Sequence, residues 1–336
     1  RRLIILVDRA VLVVVLAVVD LRRIGVDVRV RVVVVASGVR KPVREFIGVD
    51  IRRAVVHAEP IGPSYSALLI DAGRTLLVAF ETVAQVRKSN DSSAPIGWGF
   101  AQSHGWSSLT LLAEAETDWF RHPAIFGYFD RMIDDGFFDD FDQILFYGAG
   151  AAGYAAAAYS VAAPDTRVLA IQPQATLDPA LARWDRRHLE ARRLDFSSRF
   201  GYAPMMVETA ESVWVIHDPS VIEDAVHASL FNGANTTHLT CPYLGPDADR
   251  GLNSMDVLPE LIEQAMDGAL TPASYAQLWR ARQLHLPYLR TLMYRLDGEE
   301  RHQRLLARLC RHVAAHGNRP LFAKKLAELE AQGVTT

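Results

Sequence analysis

Cysteine is nearly absent from this 336-residue chain: Cys241 and Cys310 are the only two, far apart in sequence. Two isolated thiols exclude a disulfide framework, supply too little sulfur for a zinc module, and point to a reducing, cytoplasmic compartment. An excess of charge of one sign is absent as well. Lys and Arg number 36 against 39 Asp and Glu, a formal net charge of −3 with the signs interspersed, so there is no electrostatic case for a nucleic-acid partner. The chain also lacks a clean apolar run of spanning length. The opening RRLIILVDRAVLVVVLAVVDLRR is interrupted by Asp8 and Arg9, leaving only Ala10 to Val19, whereas a spanning helix needs roughly 20 residues. No small-residue cleavage site follows it. Its valine content fits a buried strand, or a helix packed under a sheet, and no membrane partner is expected. The first residue is Arg1 rather than methionine, and the expectation is a start that lies upstream.

What is present is core-forming material. Half the residues are hydrophobic and 22% are charged, an ordinary soluble balance, and the length suits one large α/β domain or two smaller ones. Apolar runs of strand type recur at 26–37, 75–81, within 107–120, and at 142–148, 166–174, 212–220 and 236–245. Helix-like stretches separate the later ones, beginning at Pro123, at Gly153 and at Pro219, with start and stop residues in the expected order. Strand, helix, strand at this spacing predicts right-handed crossovers and a mainly parallel sheet. Beyond about residue 255 the pattern is amphipathic helix throughout. The predicted organisation is therefore an α/β domain over 1–254 and a helical C-terminal extension over 255–336. That extension either covers one face of the sheet or makes a homo-oligomer contact. There is no internal repeat and no long low-complexity linker.

The stretch ILFYGAGAAGYAAAAYS, residues 144–160, carries most of the functional signal. A strand runs into a glycine turn and the turn into an alanine-rich helix. Gly148, Gly150 and Gly153 spell G-x-G-x-x-G, the dinucleotide fingerprint. That reading requires an acid at the end of the next strand for the ribose hydroxyls, yet the strand ends in Gln172-Pro173-Gln174. It therefore remains an alternative, an NAD(P)-dependent enzyme. The other reading is the nucleophile elbow, G-x-S-x-G, in which Gly150 takes the nucleophile position and Ala152 the second glycine.

Residues 146–187 resemble a bacterial group of α/β-hydrolase-like proteins, many of them linked to surface-polysaccharide work. The matching features are the elbow itself, the Pro173-Gln174 pair, and the Trp184-Asp185-Arg187 cluster, with Asp118-Trp119-Phe120 resembling an upstream element of the group. The likeness extends over about residues 75–265. It implies an α/β-hydrolase-like, mainly parallel sheet with flanking helices and the helical C-terminal extension, and hydrolase or acyltransferase chemistry. Two departures stand out. The serine position is Gly150, which has no side chain. The histidine expected after the last strand is Pro246, followed by Asp247. Asp218, ending SVWVIHD, occupies the acid's place. What the resemblance implies is a hydrolase-like scaffold without its usual Ser and His.

Such a turn still sets backbone N–H groups at Gly150, Ala151 and Ala152 at a helix N-terminus, which favours an anion or a polarised carbonyl. The expected site binds an acyl, sugar or anionic ligand, is bordered by Gly148, Gly150, Ala151, Ala152, Gly153, Gln172 and Gln174 with Asp218 beside them, and needs no metal or cofactor. The competing explanation is that small residues merely let the helix pack closely on the sheet. If the protein is an active hydrolase or acyltransferase with non-standard residues, the catalytic candidates are Asp218, His217 and His104. His217 and Asp218 are strand neighbours and point to opposite faces, so a direct pair between them is not expected. The Gly- and Trp-rich segment 95–108, which contains His104, reads as a loop. His312 and His316, four apart with Cys310 near, lack the glutamate of a zinc-binding helix and read as a solvated face. The arginine-rich segment 183–199 suits either anion recognition or a salt-bridged cap.

Overall fold

The computed structural model describes residues 11–19, 28–36, 55–89, 94–114, 118–317 and 319–334. The valine-rich opening forms β1 (Val11–Val19) and β2 (Val28–Ala36), paired antiparallel from Val11 opposite Ala36 to Val19 opposite Val28 in a two-stranded sheet of their own. Of the two forms expected there, the strand is adopted, as β-branched side chains favour. Residues 1–10 lie outside the described residues. Among the described residues no helix is long and apolar enough to cross a membrane.

The main sheet has eight strands. They are β3 (Val55–Ile61), β4 (Tyr65–Asp71), β5 (Thr75–Thr82), β6 (Ser107–Ala113), β7 (Gln143–Ala149), β8 (Arg167–Ile171), β9 (Ser212–His217) and β10 (Thr236–Thr240). Their spatial order is β3-β4-β6-β5-β7-β8-β9-β10. β4 runs antiparallel to β3 and β6, and the other pairings are parallel. This is an α/β-hydrolase-like sheet, with its second strand reversed and its third and fourth exchanged. Strands β5 to β10 fall on the apolar runs of the sequence. The β3–β4 hairpin does not, because His57, Glu59 and Pro60 interrupt its edge strand, and an edge tolerates such residues.

The connections supply the layers. After β5 come α1 (Val83–Ser89) and α2 (Ile96–His104); α3 (Pro123–Asp134) follows β6 and α4 (Ala151–Tyr159) follows β7. The short α5 (Pro179–Ala182) and α6 (Ala203–Met206) lie between β8 and β9, and α7 (Ile222–Ser229) between β9 and β10. Alternation along each strand divides the core in two. Val78, Phe80, Phe146, Val168 and Val213 pack with α3 and α4 on one face. Leu77, Leu145, Tyr147, Trp214 and Ile216 pack on the other with α2 and the C-terminal helices. Those helices are α8 (Ala248–Ser254), α9 (Leu258–Met266), α10 (Pro272–Leu278), α11 (Leu286–Asp297), α12 (Gln303–Ala315) and α13 (Pro320–Ala331). They bury Leu261, Ile262, Tyr275, Leu306 and Phe322 in the same core, and Trp214 Nε1–H donates to the Leu270 carbonyl at 2.9 Å. The extension therefore covers one face of the sheet.

One expectation is corrected. The segment 95–108 is not a loop, because α2 occupies Ile96–His104. Glycine argues against a helix on intrinsic grounds, but here closeness to β6 decides. A Cβ on Gly97 would fall 1.8 Å from Ser108 Oγ, and Trp98 is buried beside Ile70 and Ala101. Tertiary packing has overridden local propensity.

Candidate functional site

β5 and β7 are neighbours in the sheet, yet the chain leaves them toward opposite faces, into α2 on one side and α4 on the other. Such a switch point opens a crevice at the carboxyl ends of parallel strands. The glycine turn stands at this place. Gly150 has φ 59° and ψ −124°, a conformation that a side chain strains. Its N–H donates to the Ile171 carbonyl at 2.9 Å, and its carbonyl accepts from Tyr154 N–H at 3.0 Å.

The three glycines serve different ends. A Cβ on Gly148 would lie 2.1 Å from the Ala152 carbonyl oxygen, and one on Gly153 would lie 3.0 Å from that of Ile171. Close packing accounts for both. A Cβ on Gly150 would meet nothing within 4 Å, so packing does not account for the third: the turn faces open space. Ala151 and Ala152 open α4, where helix geometry leaves the first N–H groups without intrahelical partners. At the end of β5, by contrast, Thr82 N–H is taken by Gln85 Oε1 at 2.9 Å, and Gln85 N–H returns to Thr82 Oγ1 at 3.1 Å. Among the described residues, the α4 turn is thus a source of free donors at the crevice.

Asp218 is fully buried at the end of β9. Its Oδ1 accepts from Ser220 N–H (2.8 Å), Ser220 Oγ–H (2.7 Å) and Tyr243 N–H (3.0 Å), and its Oδ2 accepts from Gly245 N–H (2.8 Å). The carboxylate clasps the loop after β10 to the loop after β9. That loop, Cys241 to Asp247, contains no histidine. His217, one residue before Asp218, is also buried, and its Nδ1 has no hydrogen-bond partner among the described residues. Burial, and then the neighbouring His238 at a ring separation of 6.0 Å, push its pKa down and keep the ring neutral.

The two glutamines divide. Gln172 is strained at φ 48°. Its Nε2–H donates to Asp224 Oδ2 (2.7 Å) and the Gly245 carbonyl (3.1 Å), while its Oε1 accepts from Ala248 N–H (2.7 Å). It is spent on structure. It also stands where the dinucleotide reading requires a ribose-holding acid, and it has no free group to offer. Gln174, 4% exposed, keeps a buried Oε1 with no partner among the described residues. His104 lies elsewhere. It ends α2 just before Ser107, which pairs with Leu76 near the start of β5, at the amino-terminal edge of the parallel strands and opposite the glycine turn. There its Nδ1 lies 2.6 Å from Ser103 Oγ and its Nε2 lies 3.3 Å from Glu263.

A buried polar chain was not foreseen from sequence. His227 Nδ1 accepts from Ala175 N–H at 3.2 Å, and its Nε2 lies 3.1 Å from Asp185 Oδ2. Asp185 receives Arg187 Nη2 at 2.8 Å, and Arg187 Nη1 reaches Asp224 Oδ1 at 2.7 Å. Asp224 in turn holds Gln172. Burial alone would raise the Asp185 carboxyl, but hydrogen bonds from His227 and Arg187 outweigh it and hold the group well below the usual carboxylate range. Both ring nitrogens of His227 are engaged, so it fixes the loop after β8 rather than serving as a free base. The sequence clue was the i, i+3 spacing of Asp224 and His227 on one face of α7.

Among the described residues no group of three or more His, Cys, Asp or Glu side chains could hold a metal ion. The His312 and His316 rings sit 4.4 Å apart, and His316 Nδ1 lies 2.7 Å from the His312 carbonyl oxygen. A cavity of about 300 Å³ lies at the amino-terminal ends of β7 and β8, and one of about 370 Å³ lies along α2; neither touches Gly150.

No protein-family model and no curated protein sequence matches the chain. Among solved structures, carboxyl esterase 2 from Tuber melanosporum is similar at 13% identity and TM-score 0.40, over 68% of this chain and 86% of that one. The capsule O-acetyltransferase of Neisseria meningitidis serogroup A is similar at 13% identity and TM-score 0.38, over 60% and 91%. Mycobacterium tuberculosis MPT51 is similar at 14% identity and TM-score 0.42, over 65% and 99%.

Proposed function

We propose that this chain is an α/β-hydrolase-like protein that lacks the usual serine and histidine and binds an acyl, sugar or anionic ligand at its elbow. The observation that carries the reading is Gly150. The turn keeps the left-handed backbone of a nucleophile elbow, yet presents only open space where a side chain would stand. An acyl carbonyl or carboxylate in that space would meet the Ala151 N–H at the positive end of α4. Gln174, with its unsatisfied carbonyl oxygen, would accept a ligand hydroxyl. A saccharide bearing an acyl group combines both demands and fits the likeness of residues 146–187 to surface-polysaccharide proteins. The clasp made by Asp218 is what remains of the acid's position, serving now to hold the loop after β10.

The test pairs binding with labelling. Butyrate should raise the melting temperature of the wild type, since a ligand that binds only the folded state stabilises it. A fluorophosphonate should leave the wild type unlabelled, because no activated serine stands at the turn. A covalent adduct on the wild type, or stabilisation by NAD but not by butyrate, would overturn the reading.

A further inference from the structure

Glu81 is the penultimate residue of β5. Ala79 is the register partner of Tyr147, so two residues further on Glu81 stands level with Ala149, directly before Gly150. It is therefore a wall of the same switch-point crevice. Alternation puts it on the side of Tyr147, facing α2 and the C-terminal helices. The side chain is buried to 9% exposure, and Oε2 accepts the Ile96 N–H at 3.0 Å. Oε1 pairs with no described residue. Tyr147, 5% exposed, likewise has a hydroxyl that pairs with no described residue. The charges of Asp249, in the first turn of α8, and of Glu81 both act on its phenol. None of these groups takes part in the clasp or in the buried polar chain.

Resting on the elbow reading above, we propose that Glu81 is the acid–base group of the crevice and makes it a site of direct ester hydrolysis, with no covalent intermediate. The Glu81 carboxylate takes a proton from a water molecule as the water oxygen bonds to the carbonyl carbon of an ester whose oxygen rests on the Ala151 N–H. The tetrahedral intermediate collapses as the carbon–oxygen bond to the alcohol breaks, and the departing alkoxide recovers the proton from the Glu81 carboxyl. Ester and water become acid and alcohol, and Glu81 returns to its starting state. Gly150 supplies the room that the water needs. Burial, partly offset by the Ile96 hydrogen bond, lifts the Glu81 carboxyl to about 7, where a group exchanges protons in both directions at neutral pH. The groups beside it are Tyr147 from β7, whose phenol burial pushes well above its ordinary value, and the backbone of Ile96 from α2; on the far side of the phenol stands Asp249 of α8, whose carboxyl burial also raises.

The experiment measures p-nitrophenyl acetate turnover from pH 5 to 9, the intact mass of rapidly quenched protein, and the melting-temperature shift caused by butyrate. It uses the wild type, Glu81→Gln and Glu81→Asp. The wild type should show one rising arm centred near pH 7 and no acetylated protein. Glu81→Gln, which keeps an acceptor for Ile96 N–H, should lose about 100-fold or more in kcat with KM little changed, and Glu81→Asp should retain the pH arm at reduced rate. A wild type without turnover, a flat profile, an acetylated protein or an unchanged Glu81→Gln would each overturn the role of Glu81. Butyrate stabilisation surviving that result leaves the elbow reading standing, and its absence from the wild type removes both.

Discussion

At the scale of single residues, two buried carboxyls respond to pH in opposite directions. The Asp185 carboxyl is depressed in the folded protein, so its contribution to stability is present above the ordinary carboxylate value of about 4 and is lost as pH falls below it. Breaking that chain at its other end, with His227→Ala, leaves the Ala175 N–H without its acceptor and Asp185 held by Arg187 alone, and should cost about 1–3 kcal/mol in urea unfolding at pH 7. Glu81 shows the reverse. Its pKa rises from 4.5 to about 7, so the folded state holds the proton longer and stability declines as pH climbs through that window, by about 3 kcal/mol in all at 1.36 kcal/mol per unit. Glu81→Gln should therefore unfold at higher urea than the wild type at pH 8 and show little difference at pH 4. A variant that is no more stable at pH 8 would show that the carboxyl is not buried as described.

At the scale of elements, the glycine turn was legible in the sequence both as a turn and as a candidate site, but the separate reason for each of its glycines was not. Strands β5 to β10 and α3, α4 and α7 follow from apolar runs and from proline and glycine at their ends, because burial of whole strands leaves a strong sequence trace. The β3–β4 hairpin and α2 were missed. The first carries polar residues at an edge, and the second is a helix that glycine makes possible only by close approach to Ser108. The sequence also could not separate the three glycines of the turn, because their reasons lie in backbone sign and in contacts made by other segments. Mutation separates them. Gly148→Ala should prevent correct folding, since its Cβ would collide with the Ala152 carbonyl. Gly150→Ser should fold, with a penalty of about 1–3 kcal/mol for a side chain at φ 59°. Far-ultraviolet circular dichroism and urea unfolding of the two variants decide the point.

At the scale of the whole molecule, the strand order brings residues from 81, 147–153, 172–174, 217–218 and 241–249 to the carboxyl ends of the sheet. Sequence spacing alone could not reveal that Glu81 lies level with Ala149, or that Asp185, Arg187, Asp224 and His227 form one chain. Conversely, His104 looked like a candidate only while its end of the sheet was unknown. The C-terminal helices belong to this scale. Leu77, Leu145, Trp214 and Ile216 depend on them for cover, so deletion of residues 255–336 should yield protein that binds a hydrophobic dye and aggregates. A soluble, cooperatively folding 1–254 fragment would show that the extension is dispensable. Leu284, before α11, and Tyr294 and Leu305, on α11 and α12, are exposed, and sedimentation of the full chain will show whether they serve the homo-oligomer contact that the sequence offered as an alternative.

The central claim is that a serine-less elbow still holds a ligand, and a crystal structure of the protein soaked with butyrate tests it most directly. The account predicts a carboxylate within hydrogen-bond distance of the Ala151 N–H, in the open space above Gly150. Butyrate seated only in the groove along α2, or an elbow that stays empty at saturating ligand, would contradict it.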